Sequence, residues 1–258
     1  MASPVKAKKH LGQHFLIDLN IAQKIVNSLP KDDTPILEVG PGTGVITQYM
    51  IEKENFTAFD IDTESIAFLK EKYPQHEHKF KFQDFLQADL SPFASAGNFY
   101  LIGNFPYNIS TQIMFKVLEY RSNINCVVGM FQREVAQRIA EKPGTKTYGI
   151  LSVMLQAFYK IEYLFTVSEH VFNPPPKVKS AVIRLTRNTT TKLNCNEELF
   201  FKVVKASFNQ RRKTVRNSVK VLSGNCIVES VYLDKRAEQL SVDEFVDLTN
   251  SIEKAINK

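Results

Sequence analysis

Pro35-Ile36-Leu37-Glu38-Val39-Gly40-Pro41-Gly42-Thr43-Gly44 is a short apolar run that stops at three alternating glycines. Such a run reads as a buried strand, and glycines at its end let the backbone turn tightly and approach a ligand closely. Apolar residues then recur at helical spacing (Val45, Ile46, Tyr49, Met50), so a helix is expected after the turn. Phe56-Thr57-Ala58-Phe59-Asp60 reads as a second strand, and Glu64 to Tyr73 as a helix stopped by Pro74. His78 to Phe82, Phe99 to Gly103 and Cys126 to Phe131 read as further strands, with helices from Ser110 to Tyr120 and from Gln132 to Glu141. Strands alternating with helices predict an α/β fold with a mostly parallel sheet covered on both faces.

After the strand Ser180 to Leu185 the pattern changes. Residues 187–196 carry few apolar positions and read as a linker. Beyond it Phe200, Val203, Val204, Val215, Val219, Leu222, Phe245, Leu248 and Ile252 keep a helical period. The expected division is a domain over 1–189, with a basic N-terminal arm, and a small all-helical domain over 190–258.

The chain has 258 residues, 43% hydrophobic and 23% charged, with a net charge of +6. No apolar run approaches the roughly 20 residues that span a bilayer. Cys126, Cys195 and Cys226 have no metal-ligand spacing, which suits reduced thiols in a cytoplasmic protein. Between 201 and 220 there are seven Lys or Arg and no acid. Read as one helix, that stretch puts Arg212, Arg216 and Lys220 on one face, the pattern of phosphate contact. Lys6, Lys8, Lys9 and His10 form a second acid-free segment, expected to be a flexible arm that orders on RNA or on a donor.

Asp60 ends the second strand, twenty residues after Gly40, where a carboxylate can accept both hydroxyls of a ribose. Val45 stands where a dinucleotide fingerprint has its third glycine, a poor match for NAD. Asp84, after the third strand, is placed to accept a hydrogen bond from an adenine amino group. Asp62 reads as the cap of the following helix. The apolar run Phe99 to Ile102 ends in Gly103-Asn104-Phe105-Pro106-Tyr107. This sets an amide, a proline-stiffened carbonyl and an aromatic face at the carboxyl edge of the sheet, where open α/β sheets bind ligands. An amide and a carbonyl can hold an exocyclic amino group while the Tyr ring stacks on a base.

Five ordered motifs spread over nearly the whole length resemble the small-subunit ribosomal RNA adenine N6-dimethyltransferases, the KsgA family. They are Lys9 to Leu16, Glu38 to Gly44, Asn104 to Ser110, Phe172 to Val178 and Phe208 to Thr214. The resemblance implies a Rossmann-like seven-stranded sheet, S-adenosylmethionine as methyl donor, no metal, and a monomer acting on small-subunit rRNA in the assembling subunit. Two adjacent adenines of a 3′-end hairpin loop would become N6,N6-dimethyladenosine. Carried over, His14 and Leu16 line the donor pocket beside Gly40 and Gly42. Asp60 holds the ribose, Asp84 the adenine, and Asn104 contacts both donor and target. His14 stands where Asn is usual, Phe105 where Leu is usual, and Asp60 where Glu is frequent. On this reading Asn104 and the Pro106 carbonyl accept the two N6–H bonds, Tyr107 stacks on the target ring, and Phe172, ahead of three prolines, covers its other face. Arg211, Arg212, Lys213, Arg216 and Lys220 contact RNA. Two alternatives remain: a large-subunit rRNA adenine methyltransferase of the macrolide-resistance type, and an assembly factor acting mainly by binding.

Overall fold

The computed structural model describes residues 5–257. In chain order the elements are β1 (Phe15–Leu16), α1 (Leu19–Val26), β2 (Ile36–Val39), β3 (Phe56–Asp60), α2 (Thr63–Lys72), β4 (Phe80–Phe82), α3 (Ser91–Ser95), β5 (Phe99–Asn104), α4 (Ser110–Glu119), β6 (Ile124–Gln132), α5 (Arg133–Ala140), α6 (Ile150–Gln156), β7 (Tyr159–Val167), β8 (Phe172–Asn173), β9 (Ser180–Arg187), α7 (Glu197–Asn209), α8 (Val215–Ser218), α9 (Lys220–Ser223) and α10 (Val242–Ile256). Seven strands form one sheet in the order β4-β3-β2-β5-β6-β9-β7. The pairs β4/β3, β3/β2, β2/β5 and β5/β6 are parallel, whereas β9 runs antiparallel to β6. The mostly parallel sheet expected from the alternation is therefore present. β2 is buried along its whole length and β5 up to Gly103, as strands covered on both faces must be.

Local differences have local causes. The segment after the glycine turn is a turn with a short 3-10 stretch, Thr47–Tyr49, rather than an α-helix. Its β-branched run Val45-Ile46-Thr47 disfavours the helix, and the Thr47 hydroxyl is spent on Glu38 at 2.7 Å. Asp62 caps α2 as expected, accepting from the Glu64 N–H. Ser110 does not cap α4: its hydroxyl donates to the Tyr107 carbonyl. The stretch 211–220 is not one helix. α7 ends at Asn209, and Arg211, Arg212 and Lys213 occupy the turn before α8.

The chain divides into two compact units, 1–136 with 161–187, and 137–160 with 188–258. The expectation had one cut, at 189/190; in the structure the chain crosses between units three times. Residues 137–160 count with the second unit because α6 and its flanks bury Leu151, Val153, Met154, Leu155 and Phe158, and α6 packs on α7 and α10. That unit's core also takes Phe200, Val204, Phe208, Phe245 and Leu248. Tyr148 meets Phe208 edge-on at 6.1 Å, and Phe208 lies 6.0 Å from Phe245. The expected basic arm is not free from residue 5 onward. Val5 is buried, Lys8 bonds Asp62 and pairs with Glu64 at 3.1 Å, and Gln13 donates to Asp62. Its first four residues lie outside the described part of the chain.

Candidate functional site

Within the first unit, the carboxyl ends of β2, β3 and β5 and the loop after β4 open into a cleft. The cleft brings together His14, Gly40, Gly42, Asp60, Asp84, Asn104, Pro106 and Tyr107. A smaller pocket sharing Phe15, Gly40, Gly42 and Asn104 with it is lined by Leu16 and Glu38.

Gly42 carries φ +55°, and a Cβ there would fall 2.8 Å from the Phe15 ring. Any side chain at this position would strain the backbone and collide with a residue of the cleft wall. The Gly42 N–H donates to Asp60 Oδ2 at 3.2 Å, and the Asp62 N–H to Asp60 Oδ1 at 2.9 Å. Each oxygen keeps a lone pair for a hydroxyl donor. Burial pushes the Asp60 carboxyl up to about 6, partly offset by those two N–H groups. Glu38, fully enclosed, is pushed up to about 8 by burial, opposed by the Thr47 hydroxyl. Asp84 accepts from the Leu86 N–H at 2.9 Å through Oδ1.

Asn104 is oriented by one bond. Its Nδ2 donates to the His14 carbonyl at 2.8 Å. A carbonyl only accepts, so this contact fixes the amide and turns Oδ1 into the acceptor left for a ligand. The Pro106 carbonyl receives the Ile109 N–H at 3.2 Å and retains a second lone pair. The Tyr107 ring stacks against His14, with centroids 5.4 Å apart and planes 28° apart. Tyr107 OH bonds Ser180 Oγ. His14 Nδ1 lies 2.9 Å from the Pro174 carbonyl and must carry the proton there.

Phe105 has a steric explanation. Its ring is buried and meets Phe131 edge-on at 5.2 Å. Gly103 and Gly129 face each other in the β5/β6 register. A Cβ on either would fall 2.9 Å or 2.3 Å from that ring. Paired glycines thus open the slot that a phenylalanine fills.

One expectation needs correction. Phe172 does not face the cleft. β8 pairs with β1, Leu16 opposite Phe172, and the ring is 3% exposed within the hydrophobic core. Arg211, Arg212, Lys213, Arg216 and Lys220 are all exposed. Arg211 Nη2 also donates to the Lys146 and Tyr148 carbonyls at 2.8 and 2.6 Å, and Arg216 forms a surface pair with Asp234 at 2.9 Å. Sequence reasoning missed Ser180, which stands at the head of an apolar strand, and Phe15 and Ile61, whose only signal is adjacency to a recognised residue.

Residues 5–254 match the family described as Ribosomal RNA adenine dimethylase. "Ribosomal RNA small subunit methyltransferase A" of Bacteroides thetaiotaomicron is 56% identical over 98% of this chain and 96% of its own length. The protein of the same name from Cytophaga hutchinsonii is 59% identical over 96% and 98%. Among solved structures, a dimethyladenosine transferase from Plasmodium falciparum superposes with TM-score 0.77 at 23% identity, covering 94% of this chain and 98% of that one. The 23S rRNA methyltransferase ErmE gives TM-score 0.65 at 25% identity, covering 93% and 99%.

Proposed function

The chain belongs to the ribosomal RNA adenine dimethylase family, and from that premise we propose that it methylates N6 of two adjacent adenines in a 3′-end hairpin loop of small-subunit rRNA. S-adenosylmethionine supplies the methyl group as an electrophile on a sulfonium. The cleft suits such a donor: a glycine turn in which Gly42 has no room for a side chain, a carboxylate at Asp60 able to accept from a hydroxyl, and Asp84 beyond it for an adenine amino group. Leu16 and His14 line the wall beside the turn.

The observation that carries the reading is the pinned amide of Asn104. The lone pair of adenine N6 is delocalised into the ring and is a weak nucleophile. Asn104 Oδ1 and the Pro106 carbonyl accept its two N–H bonds, which favours a tetrahedral nitrogen with its lone pair free to attack. Tyr107 stacks on the ring and holds it out of the RNA, a recurring solution for base chemistry. Positioning supplies most of the acceleration. As the N–C bond forms, the methyl–sulfur bond of the sulfonium breaks and the donor leaves as a neutral thioether, while N6 becomes cationic and then releases one proton to solvent. Each adenine reacts twice, the once-methylated N6 offering its one remaining N–H to these acceptors. In this reading the protein works as a monomer in the cytoplasm on the assembling small subunit. The exposed cations Arg211, Arg212, Lys213, Arg216 and Lys220 of the second unit meet rRNA phosphates. The large-subunit alternative is set aside because relatives above 50% identity carry the small-subunit name, against 25% for ErmE.

The test is methyl transfer from labelled donor to undermethylated small subunits, with primer extension to locate the adenines. Asn104→Ala abolishes transfer and leaves the melting temperature unchanged. Near-normal turnover in that variant would sink the acceptor role.

A further inference from the structure

The Tyr107 ring is held at two points. Its hydroxyl bonds Ser180 Oγ, and one face is covered by the His14 imidazole at 5.4 Å. Ser180 is the first residue of β9, opposite Gln132 of β6, and is 0% exposed. A buried serine hydroxyl needs a partner, and this one has Tyr107. The other end of the contact is a half-buried ring on the five-residue connection between β5 and α4, a place where an unanchored tyrosine would turn freely about its side-chain bonds. His14 is itself fixed, through Nδ1 to Pro174 and through its carbonyl to Asn104. The interplanar angle of 28° and the 5.4 Å spacing leave no room for a base between the two rings, since two stacking layers need about twice the ~3.5 Å contact distance of carbon atoms. The face of Tyr107 turned away from His14 is therefore the one available to a base.

We propose that Ser180 is a positioning residue for methyl transfer. Its hydroxyl, through Tyr107 OH, sets the plane of the ring on which the target adenine stacks, and so the direction in which N6 meets the donor. Ser180 touches neither reactant. This rests on the reading of Tyr107 as the stacking surface. It adds that the tyrosine hydroxyl, which stacking alone does not require, is used as an anchor. A tilt of the ring would leave binding nearly intact and misalign the attack, and displacements near 1 Å can cost about 100-fold in rate.

The experiment is a double-mutant cycle on kcat and KM with undermethylated small subunits. Tyr107→Phe and Ser180→Ala each remove the same bond. Each is expected to lower kcat about 10-fold with KM for subunits within about twofold of the parent, and the double variant to be no slower than either single. Multiplying losses in the double variant, or a kcat for Tyr107→Phe within twofold of the parent, would overturn the proposal. Tyr107→Phe leaves the buried Ser180 hydroxyl unpaired, whereas Ser180→Ala leaves unpaired only the half-buried Tyr107 hydroxyl. Melting temperatures are therefore read beside kcat, and the double variant, which removes both ends, decides the matter if one single variant perturbs folding. Tyr107→Ala separates the two layers of argument. If it destroys transfer while Tyr107→Phe is harmless, stacking stands and the anchor falls. If Tyr107→Ala is itself harmless, both fall.

Discussion

Two acids in the first unit are held in a costly state. Burial raises Asp60 from 3.8 to about 6 and Glu38 from 4.5 to about 8. A carboxyl with a folded pKa above its unfolded value binds a proton more readily in the folded chain, so stability falls as pH rises through that interval. The donor-free protein should lose stability between about pH 4 and 8, Asp60 contributing from about 4 to 6 and Glu38 from about 4.5 to 8. Asp60→Asn should raise the melting temperature of the donor-free protein at pH 7 and abolish donor binding in calorimetry. Donor affinity of the parent should weaken below about pH 6, where Asp60 takes a proton. A second residue-scale prediction concerns the slot under Phe105. Gly129→Ala drives a Cβ into that ring and should cost about 1–3 kcal/mol in denaturant unfolding, as overpacking does. Adding Phe105→Leu should recover part of the loss. Asp60, Asp84, Asn104, Pro106 and Tyr107 were legible because each follows the end of a strand that its own neighbours define. Phe172 was not: its burial comes from pairing with Leu16, 156 positions earlier. Ser180 looks like any polar residue opening a strand until Tyr107 is placed beside it.

At the scale of elements, strands were easier to read than helices. An apolar run of four to six residues fixes a buried parallel strand, and β2, β3 and β5 fell where such runs lie. Helical spacing alone was less decisive. Val45 to Met50 has the period but too many β-branched residues in sequence. The basic stretch 211–220 has it too, yet α7 stops at Asn209 and the chain turns. This changes which cations test phosphate contact most cleanly, because Arg211 also holds the 146–148 loop and Arg216 also pairs with Asp234 at the surface. The triple change Arg212, Lys213 and Lys220 to Ala should leave the melting temperature unchanged and flatten the dependence of log affinity on log salt by about 2, at ~0.7–0.9 per phosphate contact. An unchanged slope would mean these residues are only a solvated face. Arg211→Ala should instead lower stability.

At the scale of the whole molecule, the two units share the chain in an interleaved way. The first unit closes only when β9 joins β6, after the chain has already contributed residues 137–160 to the second. A cut at 187/188 therefore does not yield a separable tail. Residues 188–258 alone would present the faces of α7 and α10 that α6 covers, without Leu151, Met154, Leu155 or Phe158. That fragment should stay unfolded by circular dichroism, whereas the same fragment joined by a short linker to 137–160 should gain helix. During synthesis, the segment from Gln137 to Lys160 leaves the ribosome well before most of the side chains that enclose it. For that interval it is a stretch of apolar surface awaiting its cover, and a point at which slowed translation or a truncating mutation would expose the nascent chain to aggregation.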